Sequence, residues 1–290
     1  MQVIINGLIS GMVISVLALG FNAVYLPSRI FFIALGGIYA ITPFVAWACL
    51  QYKLPLGVAL LVAVLAAMVL SMANEFFIHS PLEKKNKKVS PGAHLISSLG
   101  IYIIVIQVIA IVWGSETKVL REGIDGIFKV GTLIITKSQA ISGIMSFFLI
   151  AAFLTWLKNN KLGILFKALS DNPTELALRG YNIKTLRLFA FGLSGFLTAI
   201  ASLFTAYETG FDPYVGMSAF LLAVVATIVG GQKTFIGPII GGILIGMIRS
   251  QVVWHFSARW QDAFTFLILV IFLYLRPYGI AGSKARLESR

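Results

Sequence analysis

The sequence predicts an all-α integral membrane protein: a multi-span bundle of about eight to nine transmembrane helices with one short helix in a loop between them. Three observations lead there. The 290-residue chain is 58% hydrophobic, with a mean hydropathy of +0.92, and only 12% of its residues are charged; a water-facing domain carries about 25%. Continuous apolar runs reach about 20 residues, the length a helix needs to cross the hydrocarbon, and in lipid an open strand would leave its backbone unsatisfied. The net charge of +12 sits in short loops between those runs, as cytoplasmic loops of membrane proteins do, and this placement argues against a nucleic-acid partner. One transmembrane unit over residues 1–290 accounts for the chain, with a basic segment at 158–187 inside it.

Nine apolar segments follow in order, at about 3–26, 28–50, 54–79, 94–114, 139–157, 185–207, 217–231, 237–254 and 262–277. The first lacks a basic leader and reads as an uncleaved span. It carries Asn22, and Gly7 and Gly11 at the spacing that lets helices approach closely. The second is separated from it only by Leu26-Pro27-Ser28-Arg29. Its Gly36-Gly37 and Thr42-Pro43 predict a kinked or broken helix beside a wet path. Cys49 has no partner in the chain and reads as packing.

The third segment ends near Glu75 and His79. Glu75 is expected to reach water and His79 to be a loop residue rather than a metal ligand. The lysines Lys84, Lys85, Lys87 and Lys88 form a solvated turn facing lipid phosphate. Ser97, Ser98 and Gly100 open the fourth segment and suit either close packing or a polar lining. Trp113 marks an interface. In Gly114–Ser138, the run FKVGTLIITK alternates polar and β-branched residues and predicts a small hairpin on the outer face.

In the sixth segment Gly195, Thr198, Ser202 and Thr205 share one helix face; such a stripe packs against a helix or lines a passage. Glu208 and Asp212 follow on the outer side, solvated and free to meet a docking protein. The seventh segment is short enough for a half-helix. The run from Gly230 to Gly242 lacks the Gly before Lys233 that a phosphate loop requires, because Gln232 stands there. Its glycines instead predict close helix contact. Zinc, redox and nucleophile motifs are missing from the sequence, so neither a catalytic nor a metal site is expected. The spans hold too few carboxylates for a proton relay, and energy for uphill movement would have to come from outside the chain.

The stretch from Lys158 to Arg187 is the place to receive it. Asn172 predicts an N-cap, Pro173 fits the first helical position, and Glu175 lies three residues on. Gly180 predicts a left-handed close. The resulting helix has about two turns and a length of roughly 10 Å, too short to stand alone in water. It needs a surface, either a cytoplasmic protein or lipid headgroups.

With these residues in view, the chain resembles the permease subunits of branched-chain amino-acid-type ABC importers over almost its full length. Lys167-Ala168, Asn172-Pro173, Ala177 and Gly180-Tyr181-Asn182 are similar to that family's cytoplasmic coupling segment. Gly230-Gly231, Gly237 and Gly241-Gly242 are similar to its glycine-rich stretch, and Arg276-Pro277 with Gly279 to its closing motif. The chain departs from the family at Leu35 and Gly37, where His and Glu are common. The resemblance implies a transport subunit without enzymatic chemistry. Two permeases, identical or homologous, two ATPases that bind ATP and Mg, and an extracytoplasmic solute-binding protein would work together in a bacterial cytoplasmic membrane. Family solutes include branched-chain amino acids, urea and short amides. Lys167, Asn172, Pro173, Glu175, Ala177, Arg179, Gly180 and Asn182 would meet the ATPase. Asn22, Gly36, Gly37, Thr42, Ser97, Ser98, Thr198 and Ser202 are the positions expected along a path. Charge bias puts most of the 23 Lys and Arg, and the C-terminus, in the cytoplasm.

Overall fold

The computed structural model describes residues 1–85, 91–121, 126–130, 133–276 and 279–281; Lys87, Lys88, Pro277, Tyr278 and the basic tail lie outside them. Long apolar runs give long helices, which continue through the internal glycines and prolines of α1, α2 and α11. The first helices are α1 (Gln2–Ser28), α2 (Ala34–Gln51), α3 (Leu56–Asn74), α4 (Ser80–Lys85) and α5 (Pro91–Trp113), with a π turn at Glu75–His79. A two-stranded hairpin follows, β1 (Ile127–Val130) against β2 (Leu133–Thr136), with Ile127 opposite Thr136. Then come α6 (Lys137–Asn159), α7 (Lys161–Asp171), α8 (Pro173–Leu178), α9 (Ile183–Thr209), α10 (Val215–Gly230), α11 (Gly237–His255) and α12 (Gln261–Leu275). Among the described residues, eight helices are long and apolar enough to cross a membrane, and α10 is a shorter apolar one. The protein is therefore a multi-pass helical membrane protein.

The bundle has two distinct ends. At one, Gln2 bonds the hairpin through Ile134, Gln139 reaches Glu208, and Lys118 pairs with Phe211. At the other lie α7, α8 and the turns flanking α4. The chain leaves this second end beside α10, where the Ile280 and Ala281 amides donate to Val229 and Gly230. The core is built on α1, whose residues from Ile14 to Val24 are all buried. It packs on α9, α10 and α11, whereas α3, α5, α6 and α12 carry broad exposed apolar faces.

Small residues set the closest crossing. A Cβ on Gly246 would fall on the Gly11 backbone, and one on Gly11 would lie 2.9 Å from Ile243 Cα. Ser15 Oγ, bonded to the Ile239 carbonyl at 2.9 Å, and Ser250 Oγ, bonded to Val3 at 2.7 Å, tie the same pair of helices. Gly246→Leu is therefore expected to give no monodisperse protein on size exclusion after extraction. Gly57→Leu, where a Cβ meets nothing within 4 Å, should behave as wild type.

Two expectations are corrected. α2 is continuous through Gly36, Gly37 and Pro43. Pro43 removes the N–H that would bond the Tyr39 carbonyl, and Ser202 Oγ donates to that carbonyl at 2.6 Å instead, so the freed acceptor is satisfied without a break. The first two spans are also parted further along than expected. α1 continues through Pro27 to Ser28, and Arg29 closes it in a left-handed conformation with φ 56°.

Candidate functional site

The segment between α6 and α9 is held at three caps. Asn160 Oδ1 accepts from Leu162 N at 3.0 Å to start α7, and Asn172 Oδ1 accepts from Glu175 N at 3.2 Å to start α8. Asn182 Oδ1 accepts from Lys184 N at 3.1 Å and Thr185 N at 3.3 Å to start α9. Pro173 fills the first position of α8. Asn172 both ends α7 and begins α8, so a single residue joins them. The Glu175 carboxylate does not fold back on the cap; it takes Arg179 at 2.7 Å on the exposed face. Gly180 turns the chain at φ 86°.

α7 is amphipathic. Phe166 is fully buried, 5.5 Å from Phe235 and 6.0 Å from Trp156 between ring centroids, which locks α7 to α6 and to the turn before α11. α8 is different: of its residues only Leu176 is buried. Leu178 is 84% exposed and Tyr181 46% exposed, and Lys167, Ala177 and Arg179 also face outward. An apolar two-turn helix displayed this way has no surface of its own to rest on.

Beside it lies a cluster that sequence reasoning missed. Arg187, early in α9, bonds Glu75 at 3.1 Å and Glu83 at 2.5 Å. Glu83 lies 3.7 Å from His94 Nε2, and His94 Nδ1 is 3.1 Å from His79 Nδ1. Glu75 and His79 are buried, correcting the expectation of a water-reaching carboxylate and a loop histidine. His79 sits in the π turn with its ring against Phe32 and Phe191. The network ties the end of α3, α4, the start of α5 and the start of α9 directly after the exposed segment. Its members are scattered in sequence, so no spacing rule could assemble them. Among the described residues no group of three or more His, Cys, Asp or Glu is arranged to hold a metal.

At the opposite end of the bundle a cavity of about 570 Å³ opens between α1, α9, α10 and α11, within the size range of ligand pockets. Ile14, Leu17 and Leu222 line it together with Glu208 and Arg249. Gln139 Nε2 donates to Glu208 Oε1 at 2.8 Å. Arg249 is held by Asp262 at 2.7 Å, Gln261 at 3.1 Å and Thr265 at 3.3 Å.

The residues expected along a path mostly make helix contacts. Asn22 donates to the Thr234 carbonyl at 3.0 Å. Ser98 Oγ accepts the Ala34 amide at 2.8 Å, satisfying a backbone donor at the start of α2, and Thr42 bonds within α2 at 2.6 Å. Gly36 meets Gly216, Gly37 meets Val105, and Thr198 lies on Gly20. Ser202 covers the Tyr39 carbonyl, and Ser97 is half-buried one residue from Ser98. Of the hydroxyl stripe on α9, only Thr205 reaches the cavity.

Comparison with known proteins adds the following. The family described as "Branched-chain amino acid transport system / permease component" matches residues 3–273. The high-affinity branched-chain amino acid transport system permease protein LivH of Escherichia coli K12 is 24% identical, over 97% of this chain and 95% of its own. The corresponding BraD protein of Pseudomonas aeruginosa is 23% identical with the same coverage. A probable LivH of Methanocaldococcus jannaschii is 25% identical, over 92% of this chain and 87% of its own. The structure of PsaBC from Streptococcus pneumoniae in complex with Fab contains a chain that superposes with a TM-score of 0.52 at 13% identity. That match covers 94% of this chain and 91% of the other, a likeness of fold.

Proposed function

The chain belongs to the branched-chain amino acid transport system permease family, and from that premise we propose that it is the membrane-spanning subunit of an ATP-driven importer that moves a branched-chain amino acid inward. α8 sits in a groove of an ABC ATPase subunit on the cytoplasmic side. Lys167, Glu175 and Arg179 contact the rim, and Leu178 and Tyr181 fill the groove. ATP and Mg are bound by that subunit. A second permease, identical or homologous, completes the membrane part, and an extracytoplasmic binding protein delivers solute at the hairpin end. The C-terminus then lies in the cytoplasm. Residues 1–290 act as one transmembrane unit, with 158–187 as its coupling segment.

The observation that carries this reading is the exposure of α8. A helix of this length with a single buried side chain is stable only when a partner covers it. Its neighbours are built to transmit motion: α7 is clamped by Phe166, and α9 is anchored through Arg187. Binding energy released on the ATPase can then shift the bundle between two packed arrangements without chemistry in this chain.

The test is reconstitution. The purified chain alone in liposomes should give no leucine flux. The complex recovered from native membranes, with its ATPase subunits and binding protein, should give uptake that requires ATP. Flux from the chain alone would make it a self-sufficient channel or secondary transporter and end the importer reading.

A further inference from the structure

We propose that the cavity at the hairpin end is a binding site for a zwitterionic α-amino acid, with Glu208 receiving the ammonium, Arg249 the carboxylate, and Ile14, Leu17 and Leu222 an apolar side chain. The inference rests on the importer reading above and adds that the permease itself checks both charges of its solute.

Two half-buried side chains of opposite charge line one cavity, and each keeps capacity for a ligand. Glu208 Oε1 accepts from Gln139, and among the described residues no cation pairs with this carboxylate. A carboxylate has about four acceptor sites, so Oε2 is open to an ammonium. Arg249 makes its three bonds through the two terminal nitrogens. A guanidinium has five N–H donors, so free donors remain. The bonds to Gln261 and Thr265 hold the fork in place, which lowers the ordering needed on binding. In the pair with Asp262 the Arg249 side chain is 20% and the Asp262 side chain 62% exposed, so solvent screens the pair from the Asp262 side. A ligand carboxylate can share the guanidinium through the donors left free.

Much of the remaining lining is apolar. Ile14 is buried among the core residues of α1, and Leu222 packs against the same cluster. Two opposite charges and apolar side chains lining one cavity match an α-amino acid with a hydrocarbon side chain. They do not match urea or a short amide, which brings neither a cation for Glu208 nor a hydrocarbon side chain for Ile14, Leu17 and Leu222.

The test uses the full-length chain in nanodiscs and equilibrium binding of leucine, leucinamide, 4-methylpentanoate and urea. Leucinamide keeps the ammonium without the carboxylate, and 4-methylpentanoate the reverse. Leucine should bind, and each analogue should bind at least about tenfold more weakly, the factor corresponding to about 1.4 kcal/mol. Glu208→Gln should erase the preference of leucine over 4-methylpentanoate while keeping that over leucinamide, and Arg249→Gln the converse. The comparison on the unaltered chain holds even where a variant fails to fold. Equal binding of the three, tighter binding of leucinamide, or no leucine binding at about 10 mM would overturn the site. If the site fails while ATP-dependent uptake by the complex persists, only this assignment falls. Uptake without ATPase subunits would remove the importer reading whatever the cavity binds.

Discussion

Gly180→Ile should abolish ATP-dependent uptake and transport-linked ATPase stimulation, while the protein inserts and extracts as wild type. Gly180 has φ 86°, and a Cβ built there meets nothing within 4 Å. The damage comes from backbone geometry, not from a clash. A left-handed conformation costs an L-residue roughly 1–2 kcal/mol, and a β-branched one is a still rarer occupant. α8 is anchored by Leu176 alone, so re-aiming it is the easier way to relieve the strain. The helix then misses its groove while the spans stay packed. Gly180→Asn, which tolerates that region, should keep most activity. Uptake assays on the three proteins decide the matter. Full uptake by Gly180→Ile would show that the turn does not aim the helix.

Arg187→Ala should lower stability by about 3–5 kcal/mol, because it leaves the buried Glu75 carboxylate uncompensated. The side chains of Arg187 and Glu75 are 13% and 5% exposed, so solvent screens the pair little. Adding Glu75→Gln to Arg187→Ala should recover much of the loss, since the orphaned charge is then gone. Reversible unfolding of the purified proteins measures both steps. If the double variant is no more stable than Arg187→Ala, the pair is not the source of the effect. Any uptake lost in the double variant at restored stability would then report on transmission from α8 to α3 and α5.

Most of the bundle was legible because lipid enforces length. The apolar segments fall on the helices, and the run FKVGTLIITK spans the β1–β2 hairpin as its alternation suggests. Asn172, Pro173 and Gly180 could be read because capping and left-handed closure are local chemistry, confined to neighbouring residues. Three features were not legible, for one shared reason: each depends on which helices become neighbours. Glu75, Glu83, His79, His94 and Arg187 come from α3, α4, α5 and α9 and their turns. Glu208 and Arg249 come from different helices and gain meaning only across a shared cavity. Pro43 looked like a break because its remedy, Ser202, is far along the chain. The same blindness affected the small polar residues of the spans, which could line or pack, and which the structure places mainly in packing. The family's coupling and path positions remain roles for mutagenesis to assign.

α10 has 16 residues, about 24 Å of helix, against roughly 30 Å of hydrocarbon in a typical bilayer. It is enclosed by α1, α2, α11 and α12, and Ser218 is its one exposed residue. Its shortfall therefore falls inside the protein, where acyl chains do not have to deform around it. Water reaching the cavity above and the turn below would stand closer together here than the two faces of the surrounding bilayer. The insulating layer between the two compartments is therefore shorter along α10 than along the long helices α1 and α9.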